Sequence, residues 1–152
     1  MKRAPEPPEG AAVTTLRHAV PFFETDAMGI VHHSNHVRYF ELGRIAWLRE
    51  HDQPYERYVE AGYHFATIRV EVDYHMPARF ADEVEIRVWA DTVRFASLRM
   101  AYNLCVEGAP IATGFTEHAA VDTDGKVRRL PSERRDALAA LVGDSEPRTR
   151  VR

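Results

Sequence analysis

The chain has 152 residues and a net charge of −3, and hydrophobic residues make up 45% of it. This length and composition suit a single folded domain with its own core. The small acidic charge gives no reason to expect a nucleic-acid partner, and no apolar run is long enough to cross a membrane. The single cysteine, Cys105, excludes an internal disulfide and favours a cytoplasmic location.

Alternating apolar residues predict strands, and apolar residues spaced three or four apart predict helices. The expected order begins with a strand over 16–24, a turn over 26–29, a long helix capped by Ser34 or Asn35 and running to about Glu50, and a short helix from Pro54 to Gly62. Strands over 65–75, 84–90, 97–106 and 111–121 follow, and then a last helix that starts at Pro131 and Ser132. We expect one domain over 13–143, flanked by flexible tails over 1–12 and 144–152.

One long helix beside a mostly antiparallel sheet is an α+β arrangement. A single helix covers only one face of such a sheet, so oligomerisation is expected. At 100° per residue the helix directs one apolar face at the sheet, made of Val37, Phe40, Trp47 and Leu48. Glu41 and Arg44 project into the same arc. Either they form a structural ion pair, or Glu41 faces the same cleft as Asp26.

The segment around Asp26 contains the strongest chemical signal. Asp26 stands in a turn with Gly29, directly before a His-His-Ser-Asn cluster that opens the long helix. A helix start offers unpaired N–H groups and a partial positive charge, which polarise an ester or thioester carbonyl. The carboxylate would then attack that carbonyl or activate a water. The alternative is an ordinary turn residue bonded to nearby N–H groups.

No metal or cofactor is expected from the sequence. His32 and His36 stand four residues apart, but they lack the Glu of the metalloprotease signature and a third ligand. No Gly-rich nucleotide-binding motif is present either.

Two segments of the chain carry a family resemblance. Residues 23–35, FETDAMGIVHHSN, followed by Tyr39-Phe40-Glu41 and Arg44, resemble the signature of the 4-hydroxybenzoyl-CoA thioesterase family of hot-dog fold acyl-CoA thioesterases. Residues 73–79, DYHMPAR, with Asp82 after them, resemble that family's strand ending in Tyr-x-x-Pro-Ala and an acidic turn. The resemblance implies a five-stranded antiparallel sheet wrapped around one long central helix, in a homodimer or homotetramer. It also implies hydrolysis of an acyl-CoA to a free acid and CoA.

The resemblance also implies roles for individual residues. Asp26 matches the catalytic carboxylate, as nucleophile or general base, and His33 matches the helix-start position whose backbone N–H polarises the thioester carbonyl. Glu41 is the fallback catalytic acid. The residues expected to bind substrate are Gly29, Val31, Asn35 and Arg79. Met28 replaces a usually small residue, and Asn35-His36 stands where an aromatic is common. Two alternatives stay open: a thioesterase acting on acyl carrier protein, and a non-catalytic acyl-CoA-binding module.

Overall fold

The computed structural model describes residues 4–144, so residues 1–3 and 145–152 of the two predicted tails lie outside the described residues. The strands are β1 Val13–Ala19, β2 His64–Tyr74, β3 Glu83–Val93, β4 Ser97–Val106 and β5 Ala109–Val121. The helices are α1 Ser34–His51, α2 Tyr55–Glu60 and α3 Ser132–Ala139, and a short 3-10 turn spans Phe22–Glu24. Every predicted helix and strand is therefore present.

The strands form one antiparallel five-stranded sheet in the order β1-β3-β4-β5-β2. The long helix α1 packs on one face of this sheet and contacts β1, β2, β3 and β4. The predicted α+β architecture, a five-stranded antiparallel sheet around one long helix, is confirmed. Strands β1 and β2 are the two edges, so each exposes one row of unpaired backbone groups.

The core lies between α1 and the sheet. Phe40, Trp47 and Leu48 are fully buried there as predicted, whereas Val37 is more than one-third exposed and does not join them. The Phe40 ring stacks on Tyr102 with ring centres 4.2 Å apart. This contact fastens the middle of α1 to the centre of the sheet, which positions the N-terminal end of the helix.

Two predicted boundaries near the N-terminal end of α1 are wrong. The first strand ends at Ala19 rather than Glu24, because Pro21 has no N–H for the ladder and a 3-10 turn follows it. Neither Ser34 nor Asn35 caps α1: the cap position is His33, without a side-chain cap bond. Asn35 is instead buried and donates through Nδ2 to the Glu24 carbonyl oxygen at 2.8 Å.

Glu41 and Arg44, the two charged residues of α1 expected to face the sheet, do not pair with each other. Arg44 turns inward, and its Nη1 lies 3.2 Å from Nε2 of His118 on β5. Glu41 is exposed. The expected structural ion pair is therefore replaced by a contact between the helix and the sheet.

His118 on β5 is fully buried. Its Nδ1 lies 3.2 Å from the Thr67 hydroxyl and its Nε2 lies 2.7 Å from the Thr116 hydroxyl. Burial, together with the nearby Arg44 guanidinium, lowers the pKa of His118 to about 3. The ring is therefore neutral in the folded protein at every pH near neutrality.

This buried histidine predicts a loss of stability in mild acid. The unfolded chain protonates the ring near pH 6.5 and the folded chain only near pH 3, so stability falls as the pH drops between these values. From pH 7 to pH 5, the free energy of unfolding should fall by about 2 kcal/mol more in the wild type than in His118→Gln. Urea unfolding at both pH values measures this difference. Equal pH dependence in the two proteins would contradict it.

Candidate active site

The Asp26 turn is held closed by its own backbone. The Asp26 N–H donates to the Ile30 carbonyl oxygen at 2.8 Å, and the Gly29 N–H donates to the Asp26 carbonyl oxygen at 2.9 Å. Gly29 has a φ of +73°, a conformation that glycine adopts without strain. Oδ1 of Asp26 also accepts the Met28 N–H at 2.8 Å. Asp26 is partly buried, and this hydrogen bond holds its carboxylate in place within the turn.

The N-terminal end of α1 follows this turn directly. The Val31 N–H donates to the Ala78 carbonyl oxygen at 2.8 Å, and the His32 N–H donates to the Glu24 carbonyl oxygen at 2.8 Å. Within residues 4–144, no acceptor contacts the next N–H along the chain, that of His33. This donor is available to an oxygen atom of a bound molecule.

Asp26 and His33 line one pocket of about 370 Å³. The end of β2 closes it, where the Tyr74 hydroxyl donates to the His33 carbonyl oxygen at 3.0 Å. The His36 ring meets Tyr74 edge to face, and burial lowers the pKa of His36 below its ordinary value. The remaining lining is mostly apolar: Met28, Ile30, Val31, His75, Met76 and Pro77. The pocket thus brings Asp26 and the helix-start residue His33 together against a mostly apolar wall.

The predicted binding residues take three kinds of position. Val31 lines the pocket. Gly29 shapes the turn, and Arg79 lies against it with Nη1 3.5 Å from the Gly29 carbonyl oxygen. Asn35 is buried behind the turn rather than in the pocket.

Glu41 lies elsewhere, along a separate groove of about 780 Å³ between α1 and β1. This groove, which we call the α1 groove, is lined by His18, Glu24, Arg38, Tyr39, Glu41, Leu42, Ile45, Ala46, Arg49 and Glu50. Asp26 and Glu41 therefore do not face one cleft within a single chain.

Sequence reasoning missed several residues at this site. It gave no role in substrate binding to His36, Tyr74 or His75, although all three line the pocket. The available signal was the second family-like segment, 73–79, which contains Tyr74 and His75. Sequence distance hid the contact, because 41 residues separate Tyr74 from His33.

Among residues 4–144, no group of three or more His, Cys, Asp or Glu side chains is arranged to hold a metal ion. No helix in this part of the chain is long and apolar enough to span a membrane.

Comparison with known proteins decides the family. The model of the thioesterase-like superfamily matches residues 20–141. The chain belongs to the thioesterase-like superfamily. Its hot-dog fold and its class, thioester hydrolase, follow from this membership. The matched model is broader than the 4-hydroxybenzoyl-CoA thioesterase family, so the narrower assignment stays a prediction.

Individual proteins resemble the chain over half of its length or more. A putative esterase of Aquifex aeolicus is 32% identical over 117 residues, which cover 77% of this chain and 91% of the relative. The crystal structure of hypothetical protein TT1821 from Thermus thermophilus superposes with a TM-score of 0.80 at 32% identity, covering 86% of this chain and 98% of that one. The acyl-CoA thioester hydrolase YbgC of Escherichia coli is 32% identical over 79 residues, 52% of this chain and 59% of the relative.

Proposed function

We propose that this superfamily member is an acyl-CoA thioesterase that hydrolyses an acyl-CoA to a free carboxylic acid and CoA. One observation carries the proposal: the Asp26 carboxylate and the helix-start residue His33, whose N–H has no acceptor in the described chain, line the same pocket. The resemblance to YbgC, which is named an acyl-CoA thioester hydrolase, supports the choice of substrate.

Asp26 acts on the thioester as a general base or as a nucleophile. As a base, it takes a proton from a water whose oxygen bonds to the carbonyl carbon, and the C–S bond then breaks to release the CoA thiolate. As a nucleophile, it forms a mixed anhydride and releases CoA, and water then cleaves the anhydride. In both routes the carbonyl oxygen gains negative charge, which the His33 N–H and the positive end of α1 stabilise.

The proposed roles of the substrate-binding residues rest on their positions around the Asp26 turn. Val31 and its apolar neighbours in the pocket contact the acyl group. Gly29 does not line the pocket, but its lack of a side chain lets the backbone of the turn come close to a bound thioester. Arg79 lies beside the turn and offers a guanidinium to the phosphates of CoA. Asn35 supports the turn from behind through its bond to the Glu24 carbonyl oxygen. Glu41 remains the fallback acid if Asp26 is dispensable.

Release of free thiol from a panel of acyl-CoAs tests the function. The panel contains short, medium and long aliphatic acyl groups and aromatic ones such as 4-hydroxybenzoyl, assayed with a thiol-reactive dye. We expect release of CoA from at least one of them. Release only from acyl carrier protein would favour the carrier-protein alternative, and no release from either would leave the non-catalytic binding module.

We also propose that the enzyme is a cytoplasmic homodimer or homotetramer in which β2 pairs with β2 of a second copy. β2 is an edge strand of eleven residues, and it exposes Ile68 and Val70. An exposed apolar edge strand is a template for pairing with another strand.

A mass measurement tests this pairing. Wild-type protein should sediment at two or four times the chain mass of 17.4 kDa. Val70→Lys should shift it towards smaller species, since a charge on an edge strand opposes pairing. Val59→Lys on α2, where the side chain is similarly exposed, is the matched control and should keep the wild-type mass. A monomeric wild type would refute the assembly.

A further inference from the structure

Glu24 anchors the turn that carries Asp26 on the side away from the Asp26 pocket. Glu24 is buried, and its Oε2 accepts the Tyr39 hydroxyl at 2.5 Å. The same oxygen lies 2.9 Å from Nε2 of His18. His18 belongs to β1 and Tyr39 to α1, so this one carboxylate joins the edge strand, the 3-10 turn and the long helix.

The main chain of Glu24 makes a second set of bonds. Its carbonyl oxygen accepts the His32 N–H at 2.8 Å and Nδ2 of Asn35 at 2.8 Å. These two donors flank His33 in the chain, and Asp26 follows Glu24 by two residues. Glu24 thus contacts the segments on both sides of the proposed reaction centre.

We infer that Glu24 is a positioning residue, which holds the Asp26 carboxylate at a fixed distance from the His33 N–H. The inference rests on the proposed function, because it assumes that these two groups act on one thioester. Glu24 lines the α1 groove and not the Asp26 pocket, so it acts through the backbone and does not touch the substrate. A shift of about 1 Å between reacting groups costs about 100-fold in rate.

Two substitutions at Glu24 test the role. Glu24→Ala removes the acceptor of the Tyr39 hydroxyl and leaves that buried group unpaired. We expect kcat to fall by about 10- to 100-fold with KM nearly unchanged, since the pocket lining is intact. Glu24→Gln keeps an acceptor oxygen at the same place and should restore most of kcat. Should Glu24→Ala fail to fold, Tyr39→Phe removes one bond only and should give a smaller fall in kcat.

Glu50→Ala is the matched control. Glu50 also lines the α1 groove and joins α1 to β1, where its Oε2 accepts the Thr14 hydroxyl at 2.6 Å. It lies far along α1 from the turn, so its loss should lower the melting temperature and leave kcat unchanged. Equal falls in kcat for Glu50→Ala and Glu24→Ala would reduce Glu24 to a general structural role and overturn the inference.

The remaining outcomes separate this inference from the proposed function. Asp26→Asn is assayed alongside the Glu24 variants. If Asp26→Asn is inactive while Glu24→Ala keeps wild-type kcat, only the positioning role fails. If Glu24→Ala raises KM alone, the positioning role fails as well. If Asp26→Asn is fully active, the proposed function of Asp26 fails, and the inference about Glu24 fails with it.

Discussion

Replacing Asp26 with Asn is expected to lower kcat for thioester hydrolysis by at least about 100-fold, the usual contribution of a general base. The Asn side chain has the same shape, and its carbonyl oxygen can accept the Met28 N–H as Oδ1 does now. The turn should therefore keep its structure, while the group that takes the proton or attacks the carbonyl is lost. KM should change little. Steady-state kinetics with the best acyl-CoA of the panel measure both constants.

Asp122→Asn is the matched control for this experiment. Asp122 also closes a turn, accepting the Asp124 and Lys126 N–H groups at 2.9 Å each. It does not line the Asp26 pocket, so its replacement should leave kcat at the wild-type value. Full activity of Asp26→Asn would contradict the assignment, and Glu41 would then be the next acid to replace.

The largest expected effect on stability comes from Gly114→Ala. Gly114 lies on β5 beneath the Phe40 ring, and an added Cβ would stand 2.1 Å from the Glu71 carbonyl oxygen and 2.9 Å from that ring. The first of these atoms belongs to the backbone of the paired strand β2, so the sheet itself must shift. We expect a loss of about 3 kcal/mol or more in the free energy of unfolding. Urea unfolding followed by circular dichroism measures it.

Gly125→Ala separates steric crowding from backbone strain. Gly125 has a φ of +77°, but an added Cβ there meets nothing within 4 Å. Its replacement should lower the free energy of unfolding by only about 1 kcal/mol, because alanine adopts a left-handed conformation less readily than glycine does. If Gly114→Ala and the wild type unfold at the same urea concentration, β5 does not approach β2 and α1 as closely at Gly114 as the structure indicates.

Most of the secondary structure was predictable, because its signal is local. Apolar alternation marks β3 and β4 in the sequence, and the Phe40-Trp47-Leu48 spacing marks the buried face of α1. The first strand was extended too far because Phe22 continues the alternation. Pro21, directly before Phe22, ends the hydrogen bonding between strands, and the ring of Phe22 is exposed.

The interactions of polar residues were harder to predict. Helical spacing suggested that Arg44 meets Glu41, but Arg44 instead contacts His118, which is 74 residues away. Asn35 is a residue type that often caps helices, yet its side chain donates a hydrogen bond to the Glu24 carbonyl oxygen instead. In each case a partner from another segment competes with the local one, and only packing brings that partner near.

The sequence by itself determined the α+β order of elements and the nearness of Asp26 to His33, since the eight residues 26–33 contain both a turn acid and the start of a helix. Motif and family resemblance then pointed to thioester chemistry. Only the tertiary structure decided what surrounds that pair: the β2 end that closes the pocket, the separation of Glu41 into the α1 groove, and the Glu24 bonds behind the turn. The physical reason is that hydrogen bonds and burial between distant segments depend on how helix and sheet pack, which local patterns do not encode.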